Sequence, residues 1–345
     1  MKAGNNFNLI RLVLALSVCF YHFHALTGLT QFSMFSEWFN AEEAVNAFFI
    51  LSGYLIYNSF ERRPSLRDYG IRRLLRIYPA YMGVILFAAF GLCFFSQYSP
   101  KEYFLNAQWW RYMGFNLVFL NFMQPNLPGV FEDHILSAVN GSLWSLKIEV
   151  GFYLILPFLF FWLQKGSFWV RFGMVLLASV VYRFGLQYGS EATGQASLLF
   201  LSRQVPGQFF YFLLGISITK FQSLPPYRVV LRVVGIVSLI LLIFFSVSIW
   251  IKPLLVTAAL FFLATGIPVL SGPWQRNDIS YGVYIYHFPL IQIGIDLGWF
   301  QFSPWMSFGL ILVLCVLCGI LSWRYIEKPL LQRDFGKFQQ KILYR

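Results

Sequence analysis

The chain has 345 residues, 58% of them hydrophobic, 20% aromatic and only 12% charged. A water-soluble domain has no interior large enough for so much apolar side chain, so the composition excludes one and specifies a protein that crosses a membrane repeatedly. The net charge of +12 invites a nucleic-acid reading, but most Lys and Arg fall in alternate connections between apolar segments, where they report topology rather than a nucleic-acid footprint.

At roughly 20 residues per helical span, ten spans are predicted, at 8–27, 44–60, 79–97, 143–163, 168–186, 204–220, 229–249, 252–270, 281–298 and 304–323. The expected fold class is all-α, a polytopic membrane protein of about ten transmembrane helices. The distribution of basic residues puts both termini in the cytoplasm.

The first span, NLIRLVLALSVCFYHFH over 8–24, carries Arg11 and His22 where a lipid-facing helix should carry neither. Eleven positions at about 100° each make three turns and roughly 20°, so both fall on one face, about 16.5 Å apart along the axis. An Arg at the bilayer centre costs roughly 2.5–3.5 kcal/mol on insertion scales, so such groups face a cavity or a partner. The span is too long for a signal peptide and lacks an A-x-A site, so it is expected to stay in the mature protein.

The second span is interrupted by Ser52-Gly53, a position open to two readings, close helix packing or a backbone turn lining a cavity. The link 61–78 is the most charged stretch, with Arg62, Arg63, Arg67, Arg72, Arg73 and Arg76. Arg72 and Arg76 are i,i+4, so one helical face clusters guanidinium groups that suit phosphate, anionic lipid headgroups or simple topology. Pro79 is expected to open the third span as an N1 proline.

Residues 98–142 form a long connection in which 109–123 is apolar and aromatic but too short to span, hence interfacial or re-entrant. Trp109, Trp110 and Tyr112 there could stack on sugar rings or anchor at the interface. In the fourth span Glu149 is expected at a depth comparable with His22, suggesting a shared polar pocket, and Lys147 is expected to snorkel outwards. His287 lies mid-span before a Pro, and Glu327 follows the last span. Cys19, Cys93, Cys315 and Cys318 all fall within spans and suggest no disulfide framework. From these residues alone, an enzyme and a proton-coupled transporter or flippase relaying through Arg11, His22 and Glu149 are both open.

Six segments in order then carry a family resemblance: Arg11 with His22, AFFILSGYLI at 47–56, RRLLRIYPAY at 72–81, SLWSLKIEVGFY at 142–153, SYGVYIYHFPL at 280–290 and YIEKPL at 325–330. Together they resemble the acyltransferase-3 family of integral-membrane O-acyltransferases over essentially the whole chain. Asn8 departs from the pattern, standing where members often have Asp. An appended periplasmic hydrolase-like domain is also missing, so the chain is expected to divide into a membrane domain, 1–330, and a short basic cytoplasmic tail, 331–345.

The resemblance implies transfer of an acyl group, acetyl above all, from cytoplasmic acyl-CoA to a hydroxyl of a surface polysaccharide, lipopolysaccharide or other glycan, in the bacterial cytoplasmic (inner) membrane. Catalytic roles would fall on His22 as general base, Glu149 orienting it or stabilising its charge, and Arg11 at the cytoplasmic mouth. Acetyl-CoA, as co-substrate, would meet Arg72, Arg73 and Arg76 with Ser52 and Gly53. Acceptor contacts would come from Trp144, Ser145, Trp109, Trp110 and His287. Membrane lipids are expected partners, nucleic acid and metal are not.

Overall fold

The protein is described by a computed structural model covering residues 5–332 apart from Ser223, Pro225 and Arg276. The expected basic tail therefore lies outside the described residues from residue 333 onwards, as does Lys2. Every regular element among the described residues is helical.

The main helices are α1 (Phe7–Thr27), α2 (Ala41–Arg62), α3 (Leu66–Gly91), α4 (Ala107–Asn116), α5 (Trp144–Gln164), α6 (Phe168–Thr193), α7 (Val205–Phe221), α8 (Tyr227–Phe244), α9 (Lys252–Phe261), α10 (Ser280–Asp296) and α11 (Pro304–Leu321). Helix covers most of each of the ten segments expected as spans, although residues 245–249 and 267–270 lie outside it. Among the described residues, five stretches are long and apolar enough to cross a membrane: Phe7–Thr27, Leu66–Phe95, Gly141–Gln164, Phe168–Thr193 and Pro304–Gln332. The short element expected within 109–123 is covered in part by α4, ten residues long.

The start of the third span differs from expectation. Pro79 does not open a helix; it sits inside α3, which begins at Leu66. The Arg- and Leu-rich stretch before it has high helix propensity and continues the helix through the proline. In membrane helices the backbone groups that Pro frees are commonly satisfied by neighbouring side chains or ordered water.

The chain forms two compact units. The first comprises Met1–Ile10, Val45–Tyr69 and Ile148–Gln275. Within it α2 and α7 approach closely, because a Cβ on Gly53 would run into the Phe212 carbonyl and one on Gly215 into the Ile50 carbonyl. Small residues at such crossings let membrane helices pack by van der Waals contact where no hydrophobic force drives them together. Of the two readings of Gly53, helix packing is the one this contact supports. Lys220 and Glu61 add an ion pair at 2.5 Å.

The second unit comprises Arg11–Ala44, Gly70–Lys147 and Arg276–Arg345. Its apolar core joins α1, α10 and α11 through Phe23, Phe32, Phe288, Ile291, Phe300 and Ile311, all buried. Phe23 meets Phe308 edge to face at 4.7 Å between centroids, a geometry that aromatic quadrupoles favour. α10 and α11 cross at glycine: a Cβ on Gly282 would stand 2.7 Å from the Gly319 Cα. This crossing holds α10, the helix of the SYGVYIYHFPL segment, against α11.

Candidate functional site

Two polar clusters of the second unit lie along α1 and α10. The first follows from a proline. Pro289 lies inside α10 and has no N–H, so the carbonyl four residues earlier, on Ile285, loses its helical donor. The Asn140 side-chain amide fills that role, donating to the Ile285 oxygen at 2.8 Å. Ser142 donates to Asn140 Oδ1 at 2.7 Å. The Tyr284 hydroxyl donates to the Ser142 carbonyl at 2.8 Å and lies 2.7 Å from Ser145 Oγ. The turn before α5 is thereby stitched to the middle of α10.

Two residues beyond Ile285 along α10, His287 is completely buried. Its Nδ1 is 2.7 Å from the Tyr284 carbonyl oxygen, and its Nε2 is 3.0 Å from Nδ1 of His22. The two imidazoles have centroids 5.0 Å apart, and Phe288 presents its edge to His22 at 5.3 Å. His22 is half-buried, with these two neighbours beside it and the Val18 backbone as a further hydrogen-bond partner one turn back on α1.

The second cluster is ionic. Asp278, just before α10, pairs through Oδ2 with Arg11 of α1 and with Arg76 of α3, the latter at 2.5 Å. Arg76 also reaches Glu327 at 3.1 Å. Ser280 donates to the other Asp278 oxygen at 2.5 Å, and Ser322 donates to Glu327 at 3.0 Å. Arg76 lies over the Trp323 ring at 5.7 Å. Burial by itself would raise the Asp278 carboxyl, but Arg11 and Arg76, with Ser280, outweigh it and hold the group below its ordinary value.

Arg11 thus meets the lead-in to α10 through Asp278, and His22 meets α10 itself through His287. Arg72 and Arg73 stand half-buried on α3 near Arg76 in sequence. Ser145 is buried and Trp144, the first residue of α5, half-buried. Trp109 is buried, its indole donating to the Ala89 carbonyl at 2.9 Å. Trp110 is 64% exposed, so it is the one of the two that keeps a face open for stacking. Lys147 lies over the Phe122 ring at 4.3 Å. In the first unit, Glu149 accepts from Ser52 at 3.2 Å and from Tyr153 at 2.6 Å. The sequence-predicted residues Ser52 and Glu149 are therefore brought together there.

Reading the sequence passes over Asp278 and Asn140. The available signals are an isolated carboxylate three residues before the ninth span and an Asn three residues before the fourth. Among the described residues no group of three His, Cys, Asp or Glu side chains could hold a metal ion. All four cysteines are free thiols.

A family profile described as an acyltransferase domain matches residues 5–324. Among curated relatives, the O-acetyl transferase of Shigella phage Sf6 is 28% identical over 347 residues, covering 98% of this chain and 99% of the phage protein. Nodulation protein 10 of Rhizobium leguminosarum bv. viciae is 27% identical, covering 94% of this chain and 92% of its own. The peptidoglycan O-acetyltransferase OatA of Listeria monocytogenes is 27% identical over 84% of this chain, which spans 51% of that longer protein. No solved structure matches the chain. With the match running from the start of α1 to the end of the last helix, the chain belongs to the acyltransferase-3 family and is a multi-pass membrane acyltransferase.

Proposed function

We propose that the protein is an O-acetyltransferase that moves an acetyl group from cytoplasmic acetyl-CoA to a hydroxyl of a surface or exported glycan, with His22 as general base. The observation that carries the reading is the His22 imidazole on α1 in hydrogen-bond contact with His287. A neutral imidazole carries a ring-nitrogen lone pair that can take a proton from a hydroxyl. The names of two relatives, an O-acetyl transferase and a peptidoglycan O-acetyltransferase, support acetyl as the group and a carbohydrate as the acceptor.

In this reading His22 takes the proton of the acceptor hydroxyl as the oxygen attacks the thioester carbonyl. The C–S bond breaks, and the thiolate of CoA leaves and is protonated, giving ester and free CoA. Arg72 and Arg73 hold the CoA phosphates, since guanidinium groups match phosphate in a bidentate fork. Arg11 stands at the donor mouth and Arg76 orders it through Asp278 and Glu327. Trp110, Trp144 and Ser145 lie on the acceptor side. The topology proposed is ten spans with both termini cytoplasmic, in the bacterial inner membrane. The eleven helical steps from Arg11 to His22 span about 16.5 Å, a reach that an extended pantetheine arm matches.

The test uses purified protein, labelled acetyl-CoA and extracted glycan. Label is expected on the glycan, and His22→Ala is expected to lower transfer by about 10² to 10⁴. Undiminished transfer by His22→Ala would remove His22 from the chemistry. Movement of unmodified glycan across a vesicle without labelling would identify a transporter instead.

A further inference from the structure

The geometry points to His287 as a positioning residue that fixes the tautomer of His22, leaving Nε2 of His22 as the basic atom. The inference rests on the reading of His22 as the base. It assigns to a second histidine the orienting role that a carboxylate plays in hydrolase triads.

The argument follows the protons. Tyr284's carbonyl can only accept, and it stands 2.7 Å from Nδ1 of His287. The proton of a neutral His287 therefore resides on Nδ1; on Nε2 it would leave two lone pairs facing each other in a buried site. His287 is fully buried, and Tyr284, Phe288 and His22 are among the groups around its ring, a site in which an uncharged imidazole costs least to bury. Nε2 of His287 is then an acceptor. It is 3.0 Å from Nδ1 of His22, which must supply the hydrogen. A neutral His22 with its proton on Nδ1 carries its lone pair on Nε2, the atom pointing away from His287.

His287 can impose this order only if it does not move, and three contacts fix it. Asn140 satisfies the Ile285 carbonyl that Pro289 leaves open, within the turn that precedes His287. The Tyr284 hydroxyl is held by Ser142 and Ser145. Asp278 ties the start of α10 to Arg11, so α1 and α10 are joined both at Arg11 and, eleven residues on, at His22. When His22 accepts a proton on Nε2, its Nδ1–H stays committed to His287, and the ring does not flip away during transfer.

Two measurements test this. In the intact protein with ¹⁵N-labelled histidine, His22 is expected as the Nδ1–H tautomer near pH 8, with Nε2 unprotonated; an Nε2–H tautomer would overturn the inference whatever the activity. In acetyl transfer, His287→Phe is expected to lower kcat by about a hundredfold while KM for acetyl-CoA stays within about threefold. His287→Gln, whose side-chain oxygen can stand where Nε2 accepts, is expected to recover to within about tenfold of wild type. A His287→Phe protein with unchanged kcat, or a raised acceptor KM at constant kcat, would make His287 a spectator or a substrate contact and overturn the proposal. Failure of the base reading is distinguishable, because it would appear as an active His22→Ala protein.

Discussion

Arg76 reaches Asp278 at 2.5 Å with one guanidinium nitrogen and Glu327 at 3.1 Å with another. One arginine thus ties α3 both to the residues that lead into α10 and to the end of the last helix. The side chains are mostly sequestered, with Asp278 8% exposed and Glu327 fully buried. Such pairs cost desolvation when formed and cost more when one member is removed, because the survivor is left as an uncompensated buried charge.

Asp278→Asn should therefore be among the most damaging single changes away from the histidines. It leaves Arg11 and Arg76 facing a neutral amide, and the loss expected is about 3–5 kcal/mol. Thermal unfolding in detergent measures it. A shift in Tm no larger than that of a surface Asp→Asn control would show that the cluster contributes little.

The pH dependence of the same cluster has a definite sign. The Asp278 carboxyl titrates below its ordinary value of 3.8. Its stabilising contribution is therefore fully present above that pH and is lost only as pH falls through the lower folded value. Between pH 5 and 8 Asp278 itself should contribute a constant term to stability. A Tm profile that falls in this window in wild type but is flat in Asp278→Asn would contradict the assignment.

Arginine-to-lysine changes should separate the two roles within RRLLR. Arg72→Lys keeps the charge but loses the fork, so KM for acetyl-CoA is expected to rise about tenfold, the worth of one charge-assisted hydrogen bond. Arg76→Lys cannot bridge two carboxylates with the same geometry and should lower Tm. Kinetics across an acetyl-CoA titration, paired with unfolding curves, distinguish the two. Equal KM values for Arg72→Lys and wild type would favour topology as the reason for that arginine.

Asn140 and Pro289 offer a double-mutant cycle. Asn140→Ala should cost about 1–3 kcal/mol, the penalty for an unsatisfied buried carbonyl. Pro289→Ala restores an N–H to the Ile285 carbonyl, so in that background Asn140→Ala should cost markedly less. Strictly additive effects would mean that the amide at 2.8 Å is not compensating for the proline.

Glycine at the α10–α11 crossing is a packing requirement. Gly282→Ala would bring its methyl to 2.7 Å from the Gly319 Cα, forcing the helices apart at a cost of about 1–3 kcal/mol. Gly309, also on α11, has nothing within 4 Å of its would-be Cβ. Gly309→Ala should be neutral or stabilising by up to about 1 kcal/mol, since alanine is the better helix former. Activity and Tm that respond alike at both positions would argue against close packing at Gly282.

By itself the sequence determined the local and the periodic. The ten helical segments follow from runs of apolar residues, and Arg11 and His22 share a face because eleven positions close three helical turns. The Arg cluster before the third span and the His-Pro segment are legible for the same reason: each lies within one element. Pro79 was misplaced because the preference for proline at a helix start is weaker than the helix propensity of the residues preceding it.

Only tertiary structure decided which polar groups meet. Arg11 and Asp278 are separated by 267 positions, and His22 and His287 by 265, and no periodicity carries information over such distances. Trp109 and Trp110 are adjacent in sequence, yet packing buries one and exposes the other. Asn140 is an ordinary loop residue until it is placed against a carbonyl that Pro289 left open. In a membrane protein each polar group withdrawn from water must find its counterpart inside the fold. The sequence marks the groups that need a counterpart, and folding alone supplies it.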